Sequence, residues 1–153
     1  IERAGSGPVI LLGFSLGGVT AITLAARRSN RIHGVLALAP YERLLTPIAA
    51  TLRSRQMPHG LTAKLVTCFS TTGANRRRLT SESASELTCG LHVFVGDHDR
   101  IAPPEVGQAI VDRAPHAVLR INEDVGHVGL PEASADMLAD DLETLLRNAM
   151  PGS

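Results

Sequence analysis

Apolar positions along the chain fall into two patterns that take turns. Residues 8–14, PVILLGF, form a short unbroken apolar run introduced by the GSG of residues 5–7, the pattern of a strand buried on both faces. Residues 16–28 follow with helical composition: Ala21, Leu24 and Ala25 share a stripe, and Arg27 and Arg28 suit the negative end of a helix dipole. Residues 33–39, HGVLALA, make a second apolar strand stopped by Pro40, and residues 91–96, LHVFVG, a third. Pro103 and Pro104 open a helix in which Val106, Ala109, Ile110 and Arg113 form a short amphipathic face, ending near Pro115. Residues 117–121 read as a fourth strand. Pro131 opens the last helix, where Leu138, Leu142, Leu145, Leu146 and Ala149 step along one stripe until Pro151 and Gly152 end it.

Strands alternating with helices predict an α/β fold, a parallel sheet with helical crossovers. One connection is out of proportion. Residues 41–88 are too many for an ordinary crossover loop and are expected to carry structure of their own. Within them, residues 47–56 and 61–72 have helical patterns, whereas 73–86 are polar, rich in Ser and Arg, and read as a mobile surface loop. No internal repeat or linker divides the 153 residues, so one domain is expected.

Composition removes several functions. Fifteen Lys and Arg balance fifteen Asp and Glu, which leaves no long-range field for nucleic acid. Three Phe and one Tyr are too few for a base-stacking platform, and Arg76, Arg77 and Arg78, without interleaved aromatics, read as a solvated face. No apolar run approaches the roughly 18 residues of a membrane span. Cys68 and Cys89 form no C-x-x-C or zinc spacing and leave the compartment open, with a lean to the reducing cytosol.

The residues that carry chemistry begin between the first strand and its helix, with Gly13, Phe14, Ser15, Leu16, Gly17 and Gly18. G-x-S-x-G at a strand-to-helix junction is a nucleophile elbow. The turn is tight enough that bulkier residues at Gly13 or Gly17 are expected to clash with the adjacent strand and helix. Ser15 is then held above the carboxyl end of the sheet, where the amide of Leu16 and the helix dipole can stabilise an oxyanion. A phosphate-cradling loop is the competing reading, but G-x-G-x-x-G is absent and no Lys follows. A serine needs a base, and the base an orienting acid. Catalytic groups in parallel sheets gather at the carboxyl ends of strands. There the third strand delivers Gly96, Asp97, His98 and Asp99, and the fourth delivers Gly126 and His127. Asp97 and Asp99 both remain open as the acid. Of the six histidines, His127 is the one that follows a strand's carboxyl end by a short Gly-containing loop.

Three motifs in this order, GFSLGG, GDHDRIAPP and DVGHVGLPE, make the chain resemble the C-terminal half of an α/β-hydrolase-fold serine hydrolase. The resemblance implies Ser15 as nucleophile, His127 as base and Asp99, fourth in its G-x-x-D stretch, as acid. It implies cleavage of an acyl bond, most readily a carboxylic ester, through an acyl-enzyme that requires no metal or organic cofactor. It also implies a small-molecule acyl substrate and a cap-like role for residues 41–88, whose Ile48, Leu52, Leu65, Val66 and Phe69 either shape an acyl pocket or form helix stripes.

Hydrolases of that family are longer, with eight strands, and the four strands here match the fifth through eighth. The residues are therefore expected to belong to a longer polypeptide, since the family's second oxyanion amide, worth about 3–4 kcal/mol, has no counterpart. Residues 8–14 are expected at an open sheet edge, prone to self-association. A catalytically weak or silent hydrolase-like module acting in binding is the alternative function.

Overall fold

The computed structural model describes residues 7–43 and 78–150. Four parallel strands, β1 (Ile10–Phe14), β2 (Gly34–Leu38), β3 (Gly90–Gly96) and β4 (Ala117–Asn122), pair in the order β1-β2-β3-β4. The five described helices are α1 (Leu16–Arg27), α2 (Thr80–Ala84), α3 (Pro104–Val111), α4 (Leu130–Ala133) and α5 (Ala135–Ala149). The expected helices at 47–56 and 61–72, the apolar residues of the proposed cap, Cys68, Arg76 and Arg77 lie outside the described residues.

The two central strands show why their sequences are continuously apolar: every residue of β2 is buried, as are Leu91–Gly96 of β3. Their side chains alternate between two cores. Val35, Ala37, Leu91, Val93 and Val95 meet Ala21, Ile22 and Ala25 of α1 and Ile110 of α3. Leu36, Leu38 and Phe94 meet Leu130 of α4 and Leu145 of α5 on the other face. Register follows this alternation, with Leu38 opposite both Phe14 and Phe94. β1 is the edge of the described sheet, as expected for residues 8–14, and Leu12 is 63% exposed, so its apolar run is not buried on both faces.

Along α1, Gly18, Ala21, Ile22 and Ala25 face the sheet at helical spacing, and the small ones let the helix approach closely. Thr20 and Thr23 turn their hydroxyls back onto the carbonyls of Leu16 and Val19. α3 ends at Val111 rather than running to Pro115, because Arg113 and Ala114 donate to carbonyls three residues back.

Two expectations need correction. The described part of the polar stretch 73–86 contains a helix, α2, in which Thr80, Ser81, Ser83 and Ala84 are buried. Its composition signals a loop, yet its polar groups find partners. Thr80 Oγ1 donates to the Tyr41 carbonyl, while the carboxylates of Glu82 and Glu42 accept from the amides of Leu79 and Ser81. The last helix is also broken, at Ser134, where a backbone ψ of −1 turns the chain between α4 and α5.

The buried stripe of α5 differs from the leucine pattern as well. Asp141 is 3% exposed while Leu142 faces solvent. The reason is a charge cluster that docks the helix on the sheet. Asp141 accepts from Arg120 Nε at 3.1 Å and Nη2 at 2.9 Å, and His92 Nδ1 lies 2.9 Å from its Oδ2. Burial pushes the Asp141 carboxyl up, but the Arg120 guanidinium and the His92 imidazole outweigh it and hold the group below the ordinary carboxylate range. A depressed carboxyl stabilises the fold above its unfolded pKa and ceases to do so as pH falls through the folded one. Asp141→Asn is therefore expected to lose about 3 kcal/mol at neutral pH, the lower end for breaking a buried pair, because Arg120 keeps a solvated side. Denaturant unfolding at pH 7 and pH 3 checks this. The gap between parent and variant begins to narrow below about pH 4 and closes as pH falls through the lowered folded value.

Candidate active site

The turn after β1 is strained and close-packed. Ser15 has φ 54 and ψ −117, in the half of φ that side-chain-bearing residues avoid, at a strain on the order of 1–3 kcal/mol. Its amide donates to the Leu38 carbonyl at 2.8 Å, which ties the turn to β2. A Cβ at Gly13 would stand 2.2 Å from the Gly17 carbonyl oxygen, so glycine is required there. Gly17 corrects the expectation. A Cβ at that position meets nothing within 4 Å, because it faces outward from the first turn of α1. The close second glycine is Gly18, whose Cβ would lie 3.2 Å from the Gly13 carbonyl oxygen and 3.3 Å from that of Leu38.

Ser15 occupies the N-cap position of α1 without capping it. Its Oγ lies instead 3.2 Å from His127 Nε2. Leu16 is the first residue of α1, so its amide has no acceptor within the helix and points, with the dipole, beyond the N-terminus.

Asp99 lies in the loop after β3 and is 2% exposed. Its Oδ1 accepts the amides of Ile101 at 2.8 Å and Ala102 at 2.9 Å, a local turn that aims the other oxygen away from its own loop. That oxygen, Oδ2, is 2.6 Å from His127 Nδ1. With Nδ1–H donating to a carboxylate, Nε2 is left as the acceptor facing Ser15. His127 reaches both partners from the loop between β4 and α4 and keeps its side chain 13% exposed. Three groups separated by up to 112 positions thus form one hydrogen-bonded line.

Asp97, the rival acid, does a different job. Its carboxylate accepts the Val125 amide at 3.2 Å, its own amide donates to Asn122, and His98 donates its amide to the Val125 carbonyl. Desolvation pushes the Asp97 carboxyl up, but the amides of Asp124 and Val125 and the nearby His98 together outweigh it and pull the group below its ordinary value. The acid loop and the histidine loop are laced together two residues before His127. They approach so closely that a Cβ at Gly96 would stand 2.1 Å from the Val125 carbonyl oxygen. The His98 ring is turned outward, 66% exposed, near Asp97 and Asp124. Among the described residues, Asp97, His98 and Asp124 are the group of three that could surround a metal ion; their ligand atoms lie within 4.8 Å of one another and all three are exposed. Motif reading did not single out Phe14, whose ring lies 4.9 Å from that of His127.

Comparison with solved structures agrees with this architecture. A Pyrococcus furiosus esterase superposes with a TM-score of 0.71 at 20% identity over 94% of this chain. A thermophilic esterase from Thermogutta terrifontis gives 0.64 at 20% over 95%, and an enol-lactonase from Burkholderia xenovorans gives 0.61 at 20% over 89%. No protein-family model and no curated protein matches the sequence. The chain has the α/β-hydrolase fold, in part: it spans 55%, 67% and 64% of those three proteins. No helix among the described residues is long and apolar enough to cross a membrane.

The two motif glycines are expected to respond oppositely. Gly13→Ala forces the turn open and lowers the thermal midpoint by more than 10 °C, or prevents folding, as a several-kcal/mol backbone clash does. Gly17→Ala unfolds at or above the parent's midpoint, since alanine is the better helix former by about 1 kcal/mol. Circular dichroism melts of both variants check the contrast.

Proposed function

We propose that the protein is a serine hydrolase that cleaves acyl bonds, most readily carboxylic esters, with Ser15 as nucleophile, His127 as general base and acid, and Asp99 as the orienting carboxylate. The observation that carries this reading is the continuous line from Ser15 Oγ to His127 Nε2 at 3.2 Å and from His127 Nδ1 to Asp99 Oδ2 at 2.6 Å. The fold, shared with esterases and a lactonase, supports it at the level of reaction class.

The chemistry follows from the atoms. His127 Nε2 takes the Ser15 proton as Oγ attacks the carbonyl carbon, and the imidazolium is stabilised by Asp99, which stays ionised. Negative charge collects on the former carbonyl oxygen, where the Leu16 amide donates to it. Collapse breaks the bond to the leaving alcohol, which departs with the proton from His127 and leaves an acyl-serine. Water, deprotonated by the same imidazole, attacks that acyl group; collapse breaks the bond to Ser15 Oγ, which takes the proton back from His127 as the acid leaves. A cavity of about 530 Å³ runs along α1 past Leu16, Val19, Thr20 and Leu24 toward Tyr41 and Thr80; Ser15, Asp99 and His127 do not line it.

Hydrolysis of a short-chain p-nitrophenyl ester tests the proposal. The parent chain is expected to turn over, Ser15→Ala and His127→Ala to keep only the residual catalysis that binding and the Leu16 amide supply, and Asp99→Asn to lose roughly 10⁴-fold in kcat. Equal rates for the parent and Ser15→Ala would overturn the hydrolase and favour a binding module.

A further inference from the structure

Two hydrogen bonds fix two points of the His127 ring, Nδ1 on Asp99 and Nε2 on Ser15. Both bonds lie in the ring plane, so neither bears on the face of the imidazole. A turn about Cβ–Cγ moves Nε2 perpendicular to the ring and away from the serine hydroxyl, which weakens that hydrogen bond. A group packed against the ring opposes the turn. Phe14 is placed to do so. Its ring centroid is 4.9 Å from that of His127, with the planes inclined at 39°, within the range of favourable ring pairs.

The fold explains why the contact is there. Phe14 ends β1 opposite Leu38, and Leu38 belongs to the same core cluster as Val125 and Leu130, which bracket His127. The residue before the nucleophile therefore looks toward the face of the sheet on which the histidine loop lies. Phe14 is 39% exposed at the sheet edge, although an apolar ring there gains little from burial in the core. The separation it bears on, 3.2 Å from Nε2 to Oγ, is also the longer of the two histidine hydrogen bonds.

We infer that Phe14 is a positioning residue: its ring braces the His127 imidazole and so sets the reach between His127 Nε2 and Ser15 Oγ. The inference rests on the serine hydrolase reading for its kinetic consequence, but the contact itself is testable without turnover. A flat ring is what the role requires. Phe14→Tyr keeps the ring, Phe14→Leu keeps apolar bulk without a flat face, and Phe14→Ala removes both.

The experiment measures kcat and KM for a p-nitrophenyl ester across these three variants, together with thermal midpoints and the His127 ring-proton resonances by NMR. Phe14→Ala is expected to lower kcat about tenfold, short of the roughly 10²-fold that a misplacement of 1 Å can bring, with KM unchanged within twofold. Phe14→Tyr restores kcat to within threefold of the parent, and Phe14→Leu falls between. The His127 ring protons shift in Phe14→Ala and Phe14→Leu as the ring current is lost, and keep their parent positions in Phe14→Tyr. Parent-like kcat in Phe14→Leu overturns the inference, as does an effect confined to KM, or ring-proton shifts that ignore the substitutions. If Phe14→Ala fails to fold, the comparison of Tyr with Leu decides alone. If Ser15→Ala matches the parent in turnover, the hydrolase reading fails, and the resonances still report whether the brace exists.

Discussion

The carboxylate of Asp99 is the interaction on which the upper end of this sheet depends. It is buried, and among the described residues its hydrogen-bond partners are donors: two backbone amides on one oxygen and the His127 imidazole on the other. A buried charge is tolerable only when its lone pairs are satisfied in this way, and charge-assisted hydrogen bonds are the strong ones. Through that one side chain the loop after β3 orients the loop after β4, and the imidazole so oriented meets the serine of the loop after β1. Asp97 and Gly96 reinforce the arrangement from the backbone side, the first by accepting the Val125 amide and the second by leaving room for the Val125 carbonyl.

Strain is concentrated where these loops meet. Ser15, Ala39 and Asp124 are the non-glycine residues of positive φ among those described, and they follow the carboxyl ends of β1, β2 and β4. Backbone conformations of this kind persist only where the surroundings over-determine them. Here β2 and β3 do so, packed on both faces by apolar residues, with Leu38 supplying the carbonyl that holds the Ser15 amide and Phe94 the one that holds the Ala39 amide. Rigidity at the centre of the sheet is thus converted into precise placement at its rim.

The sequence was most legible where a residue type has one structural use. Continuous apolar runs marked β2 and β3 within a residue or two of their ends. The elbow motif marked the turn at Ser15, and a histidine in a Gly-containing loop after a strand marked His127. It was least legible where partners lie far apart in the chain. Nothing local shows that Asp141 rather than Leu142 faces the sheet, because the reason is Arg120 and His92 on two strands. The short polar residues of α2 look like loop until Tyr41 and Glu42 supply acceptors nearly forty positions away. Spacing alone could not tell Gly17 from Gly18, since which of two adjacent glycines points inward depends on how α1 leans on β2. Between Asp97 and Asp99 the residues left two possibilities, and family resemblance favoured Asp99. The geometry separates the pair by placing one carboxylate on the imidazole and the other on a backbone amide.

Covalent capture shows whether the Ser15 hydroxyl is activated by His127 and Asp99. Incubation with a fluorophosphonate, followed by proteolysis and peptide mass spectrometry, reads out which serine has become phosphonylated. A single adduct on Ser15, absent from the His127→Ala variant, is expected. No adduct, or adducts spread over several serines irrespective of His127, would contradict that activation.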